Sequence, residues 1–210
     1  MSKSLAAGLI AGALAVVPLV LGAPAKVICS LGSATAAYKS SEDQRPSPDA
    51  MQLVGRVNAA AKSICNNSCP SVALFRNVTA ANAMFLAEGD QPRLVYAPQF
   101  FSMVHESFGD AGIVAIIAHE FGHALDDALG ANWIQASWGP ELRADAWAGC
   151  TLAKADFTAA DMESALNALA KFPSAAHPAW SLRIAAIHTG YTQCGGAPAK
   201  FSQGKSGKTK

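Results

Sequence analysis

The sequence predicts an α+β domain that is mainly helical and carries a small, mainly antiparallel sheet. Apolar residues make up 51% of the 210 positions, which is enough to build the core of one domain. Short extended segments follow one another between turn-forming residues in the first half of the chain. Segments with helical spacing of apolar residues fill the second half.

The first 25 residues have the pattern of a secretory signal peptide. Lys3 precedes an apolar run over residues 5–21, and Ala23 and Ala25 form an A-x-A cleavage signal. Cleavage would leave Lys26 as the first residue of the exported chain. An uncleaved membrane anchor is the alternative, because the run approaches the roughly 20 residues that span a bilayer. In either case we expect a periplasmic or secreted protein.

The rest of the chain divides into three parts by composition. Residues 26–48 are rich in Ala, Ser and Pro and are interpreted as a linker. Residues 49–196 are expected to form one domain, and residues 197–210 a disordered basic tail.

The elements expected in the domain follow from apolar spacing and from turn residues. Met51, Val54 and Val57 recur at near-helical spacing after a potential cap at Asp49. The strands are apolar runs bounded by Asn, Gly-Asp and Pro. In chain order we predict a helix over 49–65, strands over 72–77, 83–87 and 93–97, and helices over 110–130, 140–154, 161–172 and 180–188.

Charge and cysteine content limit the functional classes. Sixteen basic and fifteen acidic residues leave a formal charge of +1, so no nucleic-acid partner is expected. The five cysteines all follow the predicted cleavage point, where an oxidising compartment permits disulfides. Cys65 could pair with Cys69 and Cys150 with Cys194, but spacing does not determine the pairing. Zinc binding by Cys65 and Cys69 is an alternative, although no second pair accompanies them at zinc-finger spacing.

The helix predicted over 110–130 contains an H-E-x-x-H motif. His119 and His123 are one turn apart, so both imidazoles can bind one zinc ion at about 2.0 to 2.1 Å. Glu120 lies beside them, where it can accept a proton from a zinc-bound water whose pKa is lowered to about 7. A chance match is the alternative, but burying these three side chains without a partner would be costly.

A catalytic zinc ion needs a third protein ligand, and Glu141 is the candidate. It begins the helix predicted over 140–154, which can pack against the motif helix. Asp145 lies one turn later on the same face and can accept the free N–H of a ligand histidine. The alternative for Glu141 is an ordinary first-turn glutamate favoured by the helix dipole.

These motifs resemble a known group of enzymes. The H-E-F-G-H helix followed by E-L-R-A-D is similar to gluzincin metallopeptidases, particularly the HtpX-like and CAAX-prenyl-protease-like family with its E-x-x-A-D pattern. The resemblance covers about residues 50–190 and extends to the segments 82–85, 93–96, 177–178 and 183–184. The A-D-x-x-A-G portion also resembles another group of bacterial neutral zinc metallopeptidases, so the class is better defined than the subfamily.

The resemblance implies a zincin-like metallopeptidase domain and a zinc-dependent endopeptidase with Glu120 as general base. It implies that a protein or peptide substrate is bound as an added strand along an edge strand. The substrate-binding residues expected there are Arg93, Leu94, Val95, Tyr96 and Ala97. His177 and Arg183 are implied as catalytic donors to the oxyanion, with packing or capping as the alternative for each.

Two other functions are compatible with the motifs. One is an inactive zinc-binding pseudo-peptidase that binds envelope proteins, although the intact Glu120 argues against it. The other is a metal-dependent hydrolase that acts on something other than a peptide. The integral-membrane members of the family have multiple transmembrane helices that this sequence lacks, so their membrane-embedded substrates are not implied.

Overall fold

The structure is a computed structural model that describes residues 26–30, 38–65, 69–70, 72–87, 93–172 and 177–204. In chain order, its elements are β1 (Lys26–Ser30), α1 (Pro48–Cys65), β2 (Ala73–Arg76), β3 (Ala83–Ala87), β4 (Arg93–Tyr96), α2 (Pro98–Leu129), α3 (Pro140–Lys154), α4 (Ala159–Lys171), α5 (Trp180–Gln193) and α6 (Pro198–Gly204). Helices dominate and one small sheet accompanies them, so the α+β prediction is confirmed. The predicted signal peptide lies outside the described residues.

The sheet is mixed and has the strand order β1-β3-β4-β2. β3 pairs antiparallel with both β1 and β4, and β2 pairs parallel with β4. Most pairings are therefore antiparallel, as predicted.

The strand order corrects the substrate-binding prediction. The strand that begins at Arg93 lies between β3 and β2, so both of its edges are already paired. Leu94, Val95, Tyr96 and Ala97 are buried. These residues do not form the free edge strand that was expected, because the sequence pattern of a strand does not give its place in the sheet.

Helix α2 is the central element of the core and is longer than predicted. The sequence indicated a helix from about residue 110, and the structure adds an arm that begins at Pro98. The two parts meet at Gly109, whose φ of 62° and ψ of −164° break the helix. Positive φ favours glycine, which has no side chain to clash with the backbone. From Ala111 to Leu125 every residue is buried, as expected of a helix covered on all sides.

The same helix has the composition of a membrane span. Among the described residues, α2 is long and apolar enough to cross a bilayer by length and composition. The buried core helix of a globular protein passes the same test, so length and composition alone do not identify α2 as a membrane span.

Helix α3 lies close to α2 because both contribute small residues at the contact. A Cβ atom on Gly122 would clash with the backbone of Ala144. Ala144 and Ala148 are fully buried. These small residues allow the two helices to approach closely, which brings the start of α3 to the motif histidines.

Helix α5 packs against α3 in the same way. A Cβ atom on Gly149 would clash with the carbonyl of Ile187, and one on Gly190 with the carbonyl of Ala146. A disulfide between Cys150 and its partner after α5 links the two helices covalently.

Both cysteine pairs considered from the sequence form disulfides. The Cα atoms are 5.1 Å apart in the Cys65–Cys69 pair and also in the Cys150–Cys194 pair. The alternative of zinc binding by Cys65 and Cys69 is therefore wrong. Two disulfides are compatible with an oxidising, exported environment.

Two segments expected to be irregular contain regular structure. The segment interpreted as a linker includes β1 and a 3-10 turn over Ser40–Glu42. The predicted disordered tail begins with α6, whose Phe201 is fully buried against the rings of Tyr191 and His188 at centroid distances of 5.3 and 4.7 Å. A buried aromatic residue thus anchors this segment on the core, although its composition is polar and basic.

The α6 contact gives a test of the tail. We expect Phe201→Ala to lower the free energy of unfolding by ~3 to 5 kcal/mol, because it removes a buried aromatic ring. Urea unfolding followed by circular dichroism measures this change. Leu182→Ala is the control, since that side chain is 55% exposed. Equal stability of Phe201→Ala and the wild type would contradict the packing of α6.

Candidate metal centre

Two histidines on one face of α2 form the base of the site. His119 is fully buried and His123 is 4% exposed. Their rings are 5.3 Å apart at an interplanar angle of 79°. Because α2 is buried on all sides at this point, neither imidazole can be solvated by bulk water, and each needs a partner inside the protein.

Glu141 lies opposite both histidines at the first turn of α3. Its Oε2 is 3.4 Å from Nε2 of His119, and its Oε1 is 3.9 Å from Nε2 of His123. Candidate ligand atoms of the three residues all lie within 4.8 Å of one another. This buried group could hold a metal ion.

Nε2 of His123 lacks, in the described part of the chain, a hydrogen-bond partner that a metal ion would replace. Nε2 of His123 is buried and has no hydrogen-bond partner among the described residues, and 3.9 Å to Glu141 is too long for a hydrogen bond. An imidazole nitrogen in this situation loses its solvation without replacement. A metal ion bound between the three side chains would supply the missing partner.

The pKa values describe the protonation of the metal-free site. Burial, and then the positive charge of His119, lowers the pKa of His123 to about 4, so its ring is neutral at neutral pH. Burial also acts to lower the pKa of His119, but the charge and hydrogen bond of Asp145 outweigh it and raise that pKa to about 9. Because a ligand imidazole must be neutral, metal binding at His119 would release a proton.

The third ligand is already in the ionised form that a metal requires. Burial acts to raise the pKa of Glu141, but hydrogen bonds from His119 and His177 outweigh it and hold the pKa well below its ordinary value. A carboxylate beside two imidazoles therefore supplies negative charge at any pH near neutral.

Asp145 fixes the orientation of His119, as predicted. Nδ1 of His119 lies 2.9 Å from Oδ1 of Asp145, and both side chains are fully buried. When Nδ1–H donates to this carboxylate, Nε2 faces the shared centre with its lone pair available.

Arg183 holds Asp145 in place. Its Nε and Nη2 donate to the two carboxylate oxygens, each at 2.8 Å, and its Nη1 donates to the carbonyl of Leu169 at 3.1 Å. These contacts agree with the packing alternative for Arg183, and its donation to an oxyanion remains a prediction. The guanidinium is 2% exposed and directed at Asp145, so it supports a ligand through another residue.

The structure brings His177 into the site, and its contact is with Glu141. The side chain is fully buried, and its Nε2 is 2.8 Å from Oε2 of Glu141. Its ring also packs edge-on against His119 at 5.3 Å. Donation of a proton to an oxyanion remains a prediction for His177.

Glu120 is fully buried in the same turn as the two histidines. Its negative charge contributes to the raised pKa of His119, which places the carboxylate close to that ring. The residue predicted to act as general base therefore lies beside the candidate ligands.

One neighbour of the site was not assigned a role from the sequence. The ring of Phe85 on β3 stacks on His123 at 5.9 Å with an interplanar angle of 20°. Phe85 lies in a segment that resembles the metallopeptidase family, but its contact with His123 depends on where the sheet packs against α2. Arg93, which was predicted to bind substrate, forms an ion pair with Asp43 at 3.2 Å.

Comparisons of the chain with known protein families, with curated proteins and with solved structures found no match.

The site predicts stoichiometric binding of a divalent transition-metal ion. We expect about one ion per chain after dialysis, and loss of more than about a hundredfold in affinity on His123→Ala, because a ligand is removed rather than a supporting contact. Metal content by mass spectrometry and titration calorimetry provide the measurement. His105→Ala is the control, since His105 is an exposed residue of the same helix that pairs with Asp110. Equal affinities of the two variants would rule out the centre described here.

We predict that Arg183 and Asp145 contribute to the free energy of unfolding as a coupled pair. Arg183→Met should destabilise the metal-free protein by ~3 to 5 kcal/mol, because it leaves a buried carboxylate short of its cation. Combining it with Asp145→Asn should cost less than the sum of the two single changes. Urea unfolding of the four proteins measures this coupling. Strictly additive effects would show that the pair is not an energetic unit.

Proposed function

We propose that the chain is an exported, zinc-dependent endopeptidase with a zincin-like domain. The observation that carries the proposal is the grouping of His119, His123 and Glu141 in one buried centre with Glu120 beside them. Two imidazoles and one carboxylate form the ligand set of many catalytic zinc sites, which keep a further position open. The disulfides support an exported location.

The residues around the centre have distinct roles in this proposal. A zinc ion held by the three ligands would polarise the scissile carbonyl and acidify a bound water. Glu120 takes the proton from the attacking water and passes it to the leaving amine. Asp145, held by Arg183, keeps His119 in the tautomer that leaves Nε2 for the metal.

His177 has a supporting role that its position favours. Its hydrogen bond to Oε2 of Glu141 orients that carboxylate toward the two motif histidines. We propose that it also lies within reach of the negative charge that develops on the substrate carbonyl oxygen, where an N–H donor would stabilise the transition state.

The decisive test separates metal binding from hydrolysis. We expect Glu120→Gln to lower the hydrolysis of casein by about 10² to 10⁴, because the proton acceptor is lost. Zinc content should stay equal to that of the wild type, because Glu120 is not one of the three ligands. The matched control is Glu106→Gln, which changes an exposed glutamate on the same helix.

The outcomes distinguish this proposal from the two alternatives. Bound zinc without hydrolysis of casein or of small ester and amide substrates in the wild type would favour an inactive binding protein. Hydrolysis of a non-peptide substrate alone, abolished by Glu120→Gln, would favour another metal-dependent hydrolase.

A further inference from the structure

Strand β1 pairs with the edge of β3 that β4 does not occupy, and β3 lies against the candidate metal centre. β3 has two edges, and β4 pairs with one of them from Ala83 to Leu86. β1 occupies the other, pairing antiparallel from Lys26 opposite Ala87 to Ser30 opposite Met84. An extended peptide that adds to β3 therefore has to take the place of β1.

The paired segment lies opposite a residue of β3 that contacts a candidate metal ligand. Cys29 is the register partner of Phe85, and the ring of Phe85 stacks on His123. Phe85 is itself 1% exposed, so β3 is fixed against α2 at this point. The backbone of β1 thus lies along the strand that would place an extended substrate beside the ligands.

We infer that β1 is an intramolecular inhibitor, which holds the peptide-pairing edge of β3 closed until it is displaced. The inference rests on the proposed function, since it concerns access of a peptide to the same centre. Because β1 belongs to the same chain, it competes with a free peptide at an effective concentration on the order of millimolar. Its position directly after the predicted cleavage signal means that export would produce the inhibited form.

A binding experiment tests the inference without using catalysis. The exported chain carries Glu120→Gln and either Val27→Pro or Val27→Ala. Val27 pairs with Leu86 next to a register shift. Proline fixes its φ near about −65° and restricts the backbone of the residue before it, so it weakens the extended pairing, whereas alanine leaves the backbone free to stay extended. The probe is a fluorescein-labelled peptide with the sequence of residues 26–33, in which serine replaces cysteine.

We expect the labelled peptide to bind the Val27→Pro chain at least about tenfold more tightly than the Val27→Ala chain, because the resident competitor is weakened. A peptide of reversed sequence should show no such difference. Equal affinity of the two chains for the probe would overturn the inference. So would loss of zinc or of helical circular dichroism in Val27→Pro, because β1 would then be a structural strand and not a displaceable one.

Activity measurements with Glu120 intact separate the inference from the proposed function. Val27→Pro should hydrolyse casein faster than Val27→Ala, and Cys29→Ser should resemble Val27→Ala. Activation by Cys29→Ser alone would overturn the inference, since the thiol and not strand pairing would then hold the site closed. A difference in peptide affinity without hydrolysis in any variant would support the inference and reject the proposed peptidase. Equal hydrolysis of casein by all variants would support the proposed peptidase and reject the inference.

Discussion

The carboxylate of Asp145 joins three helices at the candidate metal centre. It lies on α3 and accepts a hydrogen bond from His119 on α2. It also accepts two hydrogen bonds from the guanidinium of Arg183 on α5. Burying a carboxylate and a guanidinium is costly unless both are fully paired. The fit of the helices therefore depends on this interaction, and the glycines at their contacts allow the backbones to come close enough for it. The ligand His119 is oriented by the same contact that holds the helices together.

Local sequence patterns predicted the candidate ligands but not the contacts of the side chains that support them. His119 and His123 are one helical turn apart, as are Glu141 and Asp145, so the faces they share follow from helix geometry alone. Arg183 is 38 residues from Asp145, and its partner depends on how α5 crosses α3. No local pattern shows which buried acid a distant cation will meet, so the contact between Arg183 and Asp145 could not be predicted from the sequence.

The same limit explains the errors in the sheet and at the two ends. Apolar runs bounded by turn-forming residues located β2, β3 and β4 within one residue, because each run reports the burial of its own segment. The order of the strands is set by pairing between distant segments, so the interior position of β4 could not be read from its residues. Composition assigned β1 to a linker and α6 to a tail, yet backbone pairing and the single ring of Phe201 bring both onto the domain.

The burial of the centre has a consequence for access. His119 and Glu120 are fully buried and Glu141 is 9% exposed, so in the described part of the chain these three side chains face protein. The proposed function needs a scissile carbonyl within a few ångströms of them, and in that proposal an element has to move. The helices around Asp145 are fixed by ion pairing, by close glycine contacts and by a disulfide. β1 is held at the edge of the sheet by pairing with β3, so its displacement disturbs fewer of these contacts than separation of α2, α3 and α5.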